Sequence, residues 1–177
     1  MYGAVINMGK KSVKENKNIY FQSREDAGLT RAQASEAMGF ISESRIVRME
    51  NGDVTVQPED VVAMAEAYKN PGLCNYYCSH ECRIGQDYVP EVKLTSLAEI
   101  SLGILASINS LNLQKERLVE IAEDGTLTED ELPDFLSIHS RLEKLSLTVD
   151  SLKLWMENAI ANEQFDEDTI NKLKNLN

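Results

Sequence analysis

Residues that end helices alternate with residues that start them between Gly28 and Gly52, and this alternation constrains the fold more than any other feature. Gly28 is followed by Thr30, and Gly39 is followed by Ser42. Glycine often ends a helix in the left-handed conformation, whereas Thr and Ser are favoured N-caps. The spacing therefore predicts helices of about eight residues joined by tight turns.

Four or five short helices are predicted over residues 18–69. The first three run from about Asn18 to Ala27, from Arg31 to about Met38, and from about Glu43 to Glu50. Pro58 is tolerated in the first turn of a fourth helix, in which apolar residues recur at spacings of three and four. The apolar residues that follow this spacing are Val61, Val62, Met64, Ala65 and Tyr68.

Composition favours an all-α chain. Apolar residues make up 42% of the 177 residues and aromatic residues only 6%, while Leu, Ile, Ala, Glu and Lys recur at helical spacing. A small domain followed by a helical extension suits this length. No apolar run is long enough to span a membrane, and no secretory pattern opens the sequence, so we predict a cytoplasmic protein.

Charge is distributed unevenly along the chain. The formal net charge of -11 argues against a protein that binds nucleic acid over its whole surface. Residues 1–69 hold 9 basic and 10 acidic side chains, whereas the remaining residues hold 9 and 19. The nearly neutral N-terminal part, residues 1–69, is able to bind a polyanion, while the acidic remainder of the chain stays available for protein contacts.

The sequence predicts four segments. Residues 1–17 carry four lysines with little apolar patterning and are expected to form a flexible basic arm. Residues 18–70 hold the short helices, and residues 71–92 are expected to be a Cys-rich linker or a small satellite element. Residues 93–177 are expected to form a helical hairpin, with a short final helix from Asp166 to Leu176.

The hairpin is predicted from two long apolar stripes, one from Leu94 to Ile121 and one from Leu132 to Trp155. Each stripe is interpreted as one continuous helix, and Trp155 is expected in the core. A short turn capped by Thr128 makes the two helices antiparallel neighbours. Because the two stripes cannot fully bury each other, we predict homodimerisation through residues 94–160.

The segment from Thr30 to Gly52 resembles the lambda-repressor and Cro-like family, also called the XRE type. The resemblance rests on Gly28-Leu29-Thr30, a second helix of small residues, a turn containing Gly, a Ser N-cap, and the ending Arg48-Met49-Glu50-Asn51-Gly52. The turn holds one more residue than is usual in the family, near Phe40. The resemblance implies a lambda-repressor-like helix-turn-helix domain that binds double-stranded DNA, and hence a transcriptional regulator.

A recognition helix buries one side in its own domain and presents the other to the major groove. Ile46 and Met49 supply the buried side, and Glu50 is expected to be an ion-pair or hydrogen-bond partner inside the domain. The resemblance implies base reading at the start of this helix and phosphate contacts near the N-terminus of the helix before it. The candidate DNA-contacting residues are Thr30, Arg31, Gln33, Ser42, Glu43, Ser44, Arg45, Val47, Arg48 and Asn51.

Four candidate metal ligands lie within nine residues, namely Cys74, Cys78, His80 and Cys82. Zinc binds sets of three Cys and one His, and iron–sulfur clusters bind thiolates. A continuous helix would separate Cys74 from Cys82 by about 12 Å along its axis, too far for one shared ion. A looped metal site, structural thiols on one helix face, and a redox switch all remain open.

Two other classes of function compete with a DNA-binding regulator. One is a protein-interaction module, such as an antitoxin or adaptor that keeps the fold without binding an operator. The other is an enzyme, but the sequence has no nucleophile elbow, phosphate loop or paired-carboxylate motif, and its two His residues lie far apart. We therefore predict that the chain is not an enzyme.

Overall fold

A computed structural model of the chain describes residues 17–165, and all regular structure in this range is helical, as the sequence predicted. None of the helices in this range combines the length and the apolar character needed to cross a bilayer. The basic arm up to residue 16 and the final helix predicted from Asp166 lie outside the described residues. The helices are α1 (Ile19–Asp26), α2 (Arg31–Met38), α3 (Glu43–Asn51), α4 (Pro58–Ala67), α5 (Gly72–His80), α6 (Gly85–Tyr88), α7 (Leu97–Asn112), α8 (Lys115–Ala122) and α9 (Leu132–Ala161).

The described residues divide into two compact units. The first, called the N-terminal unit, contains residues 17–91 together with residues 158–165. The second, called the hairpin unit, contains residues 92–157.

Side-chain caps start the first three helices of the N-terminal unit. Asn18 accepts a hydrogen bond from Phe21 N at 3.0 Å, and Ser42 accepts one from Arg45 N at 3.3 Å. Thr30 and Gln33 form a capping box, in which each side chain accepts from the other residue's backbone N–H. Gly39 ends α2 with a φ of 72°, a conformation that favours glycine. The capping roles predicted for Thr30 and Ser42 are therefore confirmed.

The core of the N-terminal unit lies between α2, α3 and α4. Ile46 and Met49 are 0% and 1% exposed, which confirms the predicted buried side of α3. Val61 and Met64 are each 1% exposed and meet them from α4. Val62 belongs to the same apolar pattern but is exposed, because it lies one residue and thus about 100° around the helix from Val61.

The segment expected to be a linker or satellite element contains α5 and α6. Leu73 is fully buried in the same core as Met64, and Cys74 and Tyr77 pack against that core. Gly85 of α6 lies so close to α5 that a Cβ atom built on it would fall 2.0 Å from the carbonyl oxygen of Cys78. These two helices are therefore packed parts of the N-terminal unit.

Contacts between helices show that α7 and α8 run antiparallel to α9 in the hairpin unit. Arg141 donates to Ser110, Gln114 Nε2 lies 3.4 Å from Ser137 Oγ, and Arg117 Nε lies 2.7 Å from Asp134 Oδ2. As the residue number rises from Ser110 to Arg117 along α7 and α8, the number of the partner residue falls from Arg141 to Asp134 along α9. This is the antiparallel helical hairpin that the sequence predicted.

The prediction of one continuous helix from Leu94 to Ile121 was wrong. Leu94 precedes α7, whose N-cap is Ser96. The ladder of helical hydrogen bonds is interrupted after Asn112, because Gln114 has a φ of -115° and its N–H donates to Leu111 O, only three residues back. A tight turn therefore separates α7 from α8.

Much of the apolar stripe of the hairpin unit stays exposed. Ile100, Ile121 and Ile138 are buried, and so is Leu154, whereas Trp155 is only half-buried and not in the core as predicted. The turn in α7–α8 and the single partner helix leave the remaining apolar side chains uncovered. The exposed ones include Leu102, Leu105, Ile108, Val119, Phe135, Leu136, Leu142 and Val149.

Candidate nucleic-acid interface

Helix α3 is anchored on one side and open on the other. Its anchors are the buried Ile46 and Met49, while Glu43, Ser44 and Arg48 are exposed and Val47 is half-buried. We call the group formed by Glu43, Ser44, Val47 and Arg48 the outer surface of α3. The guanidinium of Arg48 has no hydrogen-bond or ion-pair partner among residues 17–165. It can therefore bind a new partner without breaking an existing pair.

Arg45 differs from these residues because its side chain joins α3 to α4. Its Nε lies 3.1 Å from Asp60 Oδ1, and its Nη2 donates to Oδ2 of the same carboxylate. Asp60 is buried and also accepts from Gln57 N at 3.0 Å, which caps the start of α4. In this position Arg45 fixes the angle at which α3 is presented.

The pair formed by Arg45 and Asp60 leads to a prediction about pH. Burial raises the pKa of Asp60, but hydrogen bonds from Arg45 and Gln57 N outweigh it and hold that pKa below its usual value. A carboxylate with a lowered pKa stabilises the folded state above its unfolded pKa, and this contribution is lost as the pH falls through the folded pKa. We expect Asp60→Asn to lower the free energy of unfolding by about 1–2 kcal/mol at neutral pH.

The difference between Asp60→Asn and the wild type should begin to shrink as the pH falls below about 4, because the unfolded wild-type chain then binds a proton at Asp60. It should be lost below the lowered pKa of the folded state, where the folded carboxyl is neutral as well. Urea unfolding at several pH values measures it. Asp150→Asn is the matched control, since Asp150 makes an i,i+3 pair with Lys153 that is exposed to solvent and contributes little. An equal loss for Asp60→Asn at all pH values would contradict the expected role.

Charged side chains from α1, α2 and α3 meet at Glu50. Its carboxylate accepts from Arg24 Nε, from Arg24 Nη2 at 3.1 Å, and from Arg31 Nε at 2.8 Å. Arg24 also donates to Leu29 O at 2.7 Å. The prediction that Glu50 is an ion-pair partner inside the domain is confirmed.

Phe21 supports the same cluster, which we call the Glu50 cluster and define as Phe21, Arg24, Arg31 and Glu50. Its buried ring lies 5.0 Å from the Arg24 guanidinium and 5.4 Å from that of Arg31. Sequence reasoning missed Phe21 and Arg24. Their spacing of three residues on a predicted helix, which places them on one side, is the signal that could have found them.

Arg31 is the first residue of α2 and the most accessible member of the Glu50 cluster, with 37% of its side chain exposed. It borders an open cleft of about 360 Å³ between the starts of α2 and α3. The cleft is lined by Phe21, Arg24, Glu25, Thr30, Arg31, Ala32 and Glu43. The structure thus brings the predicted phosphate-contacting end of α2 and the predicted base-reading end of α3 to one cleft.

The remaining predicted contact residues have local roles in this structure. Thr30 and Gln33 form the capping box of α2, and the hydroxyl of Ser42 caps α3 and lies 3.1 Å from that of Ser44. Asn51 is exposed at the last position of α3. These roles keep the backbone N–H groups at both helix N-termini in a fixed geometry.

The Cys-rich segment is helical from Gly72 to His80. Cys74 and Cys78 lie on α5 and Cys82 follows it, and all three side chains are half-buried. The His80 ring stacks on Tyr76 with 4.4 Å between ring centroids, and its Nδ1 lies 2.9 Å from Ser79 Oγ. Within residues 17–165, no three His, Cys, Asp or Glu side chains are placed to hold a metal ion. Three of the four candidate ligands therefore lie on one helix, and Cys82 lies beyond its end.

Comparison with known proteins identifies part of the N-terminal unit. Residues 22–72 match the family model described as a helix-turn-helix domain, and the match extends from α1 to the first residue of α5. No curated protein and no solved structure matches the chain. The match agrees with the resemblance to the XRE type and confirms the predicted helix-turn-helix domain.

Proposed function

We propose, from the premise that residues 22–72 form a helix-turn-helix domain, that this chain is a sequence-specific DNA-binding transcriptional regulator that acts as a homodimer. The observation that carries the proposal is the outer surface of α3. Domains of this kind place the N-terminal part of their second motif helix against base edges in the major groove. In this chain that helix is capped by Ser42 and anchored by Ile46 and Met49, and its outer surface is open.

The side chains of the outer surface of α3 suit base recognition. Arg48 can donate two hydrogen bonds to O6 and N7 of guanine, and Glu43 can accept one from N4 of cytosine. Ser44 can bond to either kind of base edge. A helix that is fixed in its domain presents these groups with little loss of conformational entropy on binding.

Arg31 is the best candidate for a phosphate contact. Its Nε and Nη2 face Glu50, and Phe21 supports its guanidinium, so the side chain is oriented before DNA binds. It also stands at the N-terminus of α2, where free backbone N–H groups and the helix dipole favour an anion. We propose that Glu50 positions Arg31 for this contact.

The proposal predicts a specific effect for Arg48→Ala. We expect it to weaken binding to a DNA duplex selected by the wild-type protein about 10- to 100-fold, because a bidentate contact to guanine is lost. Fluorescence anisotropy with the selected duplex measures the change. Arg83→Ala is the matched control, since Arg83 is also exposed, pairs with Asp87 at the start of α6 and lies outside the matched domain. It should leave the affinity within about twofold.

A second function is favoured by the modest basic charge of α3, in which one of the two arginines is already paired with Asp60. This function is a protein-interaction module, such as an antitoxin or adaptor, that does not bind an operator. The salt dependence of binding distinguishes the two functions, because phosphate contacts release counterions. DNA affinity that depends neither on salt nor on Arg48 would contradict the regulator and support the module.

The hairpin unit is proposed to form the homodimer. Apolar side chains of both α7 and α9 remain exposed, including Leu105 at 58% and Leu136 at 56%. Packing two hairpins together would cover such surfaces as in a four-helix bundle. Since a homodimer has two recognition helices, we expect the selected DNA to be an inverted repeat with half-sites about 34 Å apart.

Sedimentation velocity at micromolar concentration should show a species of two chains, each of 19.9 kDa. Leu136→Asp should shift this species toward the monomer, because a carboxylate would have to be buried in the interface. Ile84→Asp is the control, since Ile84 is 73% exposed in the N-terminal unit. A wild-type monomer, or equal effects of both substitutions, would contradict dimerisation through the hairpin unit.

A further inference from the structure

Phe40 lies in the turn between α2 and α3 with 68% of its side chain exposed. The residues on either side of it along the turn are anchored, because Met38 and Ile41 are buried at 8% and 1% exposure. Ser35 Oγ donates to Ile41 O at 2.7 Å, and Phe40 N donates to Met38 O at 2.8 Å. The turn is therefore fixed at both ends, and it holds the phenyl ring outward.

Phe40 is close in sequence to the N-terminus of α3, where the outer surface begins. Phe40 is two residues before the N-cap Ser42, and Glu43 and Ser44 follow directly. Among residues 17–165 its ring makes no aromatic or cation contact. It is also next to the point at which the turn holds one residue more than the XRE-type pattern that this segment resembles. The extra length thus puts an apolar residue close in sequence to polar side chains that suit base edges.

We propose that Phe40 is a specificity-determining residue that contacts the 5-methyl group of a thymine at the edge of the half-site. This inference rests on the proposed function, since it requires α3 to enter the major groove. The thymine methyl is the apolar group that base pairs present in that groove, and Phe is among the side chains that contact it. Because the turn is already ordered, the ring loses little freedom when it makes the contact.

Substitution of deoxyuridine for thymidine tests the contact, because it removes only the methyl group. Duplexes are first selected with the wild-type protein, and each symmetric pair of thymines is then replaced in turn. We expect one pair at which the replacement weakens wild-type binding about three- to fivefold for each methyl lost. Phe40→Ala should bind the thymine and uracil duplexes equally at that pair, whereas Phe40→Leu should retain part of the difference.

Val62→Ala is the matched control, since Val62 is also exposed, at 50%, in the N-terminal unit but lies on α4. Val62→Ala should show the same difference in affinity between the thymine and uracil duplexes as the wild type. Circular dichroism checks that Phe40→Ala keeps its helices, as expected for a side chain that is largely exposed.

The outcomes separate this inference from the function on which it rests. If the wild-type protein selects no duplex, the proposed function fails. If it selects one but wild type and Phe40→Ala respond equally to every uracil substitution, only the inference about Phe40 is overturned. A uniform loss of affinity in Phe40→Ala for all sequences would overturn it too, and would indicate a contact with the sugar-phosphate backbone.

Discussion

Replacing Glu50 by Gln is expected to lower the free energy of unfolding of the N-terminal unit by about 3–5 kcal/mol. Gln keeps the shape of the side chain but removes the negative charge that compensates Arg24 and Arg31. The Arg24 side chain is 7% exposed and that of Glu50 is 1% exposed, so water cannot replace the lost partner. A buried and uncompensated guanidinium is the reason for the large effect. Urea unfolding followed by far-UV circular dichroism measures the loss.

The double variant Arg24→Met/Glu50→Leu provides the control for this interpretation. Removing both charges also removes both desolvation costs, so we expect it to recover most of the stability lost in Glu50→Gln. Arg31 remains in the double variant, but its partly exposed side chain can turn to water. Fluorescence of Trp155, the only tryptophan of the chain, reports on the hairpin unit in the same samples. A double variant that is less stable than Glu50→Gln would contradict the argument.

Local determinants explain why the helix-turn-helix could be predicted from the sequence. The start of α2 depends on Thr30 and Gln33, and the start of α3 on Ser42, all within a few residues of the helix concerned. Gly39 and Gly52 end these helices through their own backbone conformation. The buried side of α3 follows from the spacing of Ile46 and Met49 along one helix.

Pairs between distant residues could not be predicted in the same way. Sequence reasoning named Arg45 as a candidate DNA contact, but its pairing with Asp60 depends on the angle between α3 and α4. The two arginines of the Glu50 cluster are 26 and 19 residues from Glu50 along the chain. Which arginine reaches a given carboxylate depends on helix packing, and packing is not a local property of the sequence.

Two other parts of the chain, the segment around the cysteines and the first apolar stripe of the hairpin, also could not be predicted from local sequence patterns. Pro71 and Gly72 are typical of a connection between helices. In this structure, however, Gly72 begins α5, and Leu73 of this helix is buried in the core with residues of α4. The turn at Leu113 and Gln114 has no Gly or Pro to indicate it, and the apolar stripe continues across it. In both places the tertiary contacts decide what a local pattern leaves open.

Gly85→Ala is expected to destabilise the contact between α5 and α6 by about 3 kcal/mol, at the upper end of what overpacking usually costs. The added Cβ would lie 2.0 Å from the oxygen and 2.6 Å from the carbon of the Cys78 carbonyl. Both are backbone atoms of α5, so no side-chain rotation can relieve the clash. α6 must therefore move away, and the bonds from Gln86 N to Cys82 O and from Val89 N to Gly85 O should lose protection. Amide hydrogen exchange of peptides from this segment measures that loss.

Gly72→Ala is the matched control for this substitution because it adds the same methyl group to a helix of the same unit. Its Cβ would lie 3.1 Å from Asn70 Oδ1, a side-chain atom, so a small shift of that side chain is enough even though its Nδ2 donates to Ser23 Oγ. Ala also favours the helical conformation over Gly by up to about 1 kcal/mol, so we expect little or no loss of stability. Since α6 lies outside the matched domain, exchange in α2 and α3 should stay unchanged in both variants. If Gly85→Ala left exchange in α6 unchanged as well, the close packing of α6 against the Cys78 backbone would be wrong, and with it the assignment of this segment to the N-terminal unit.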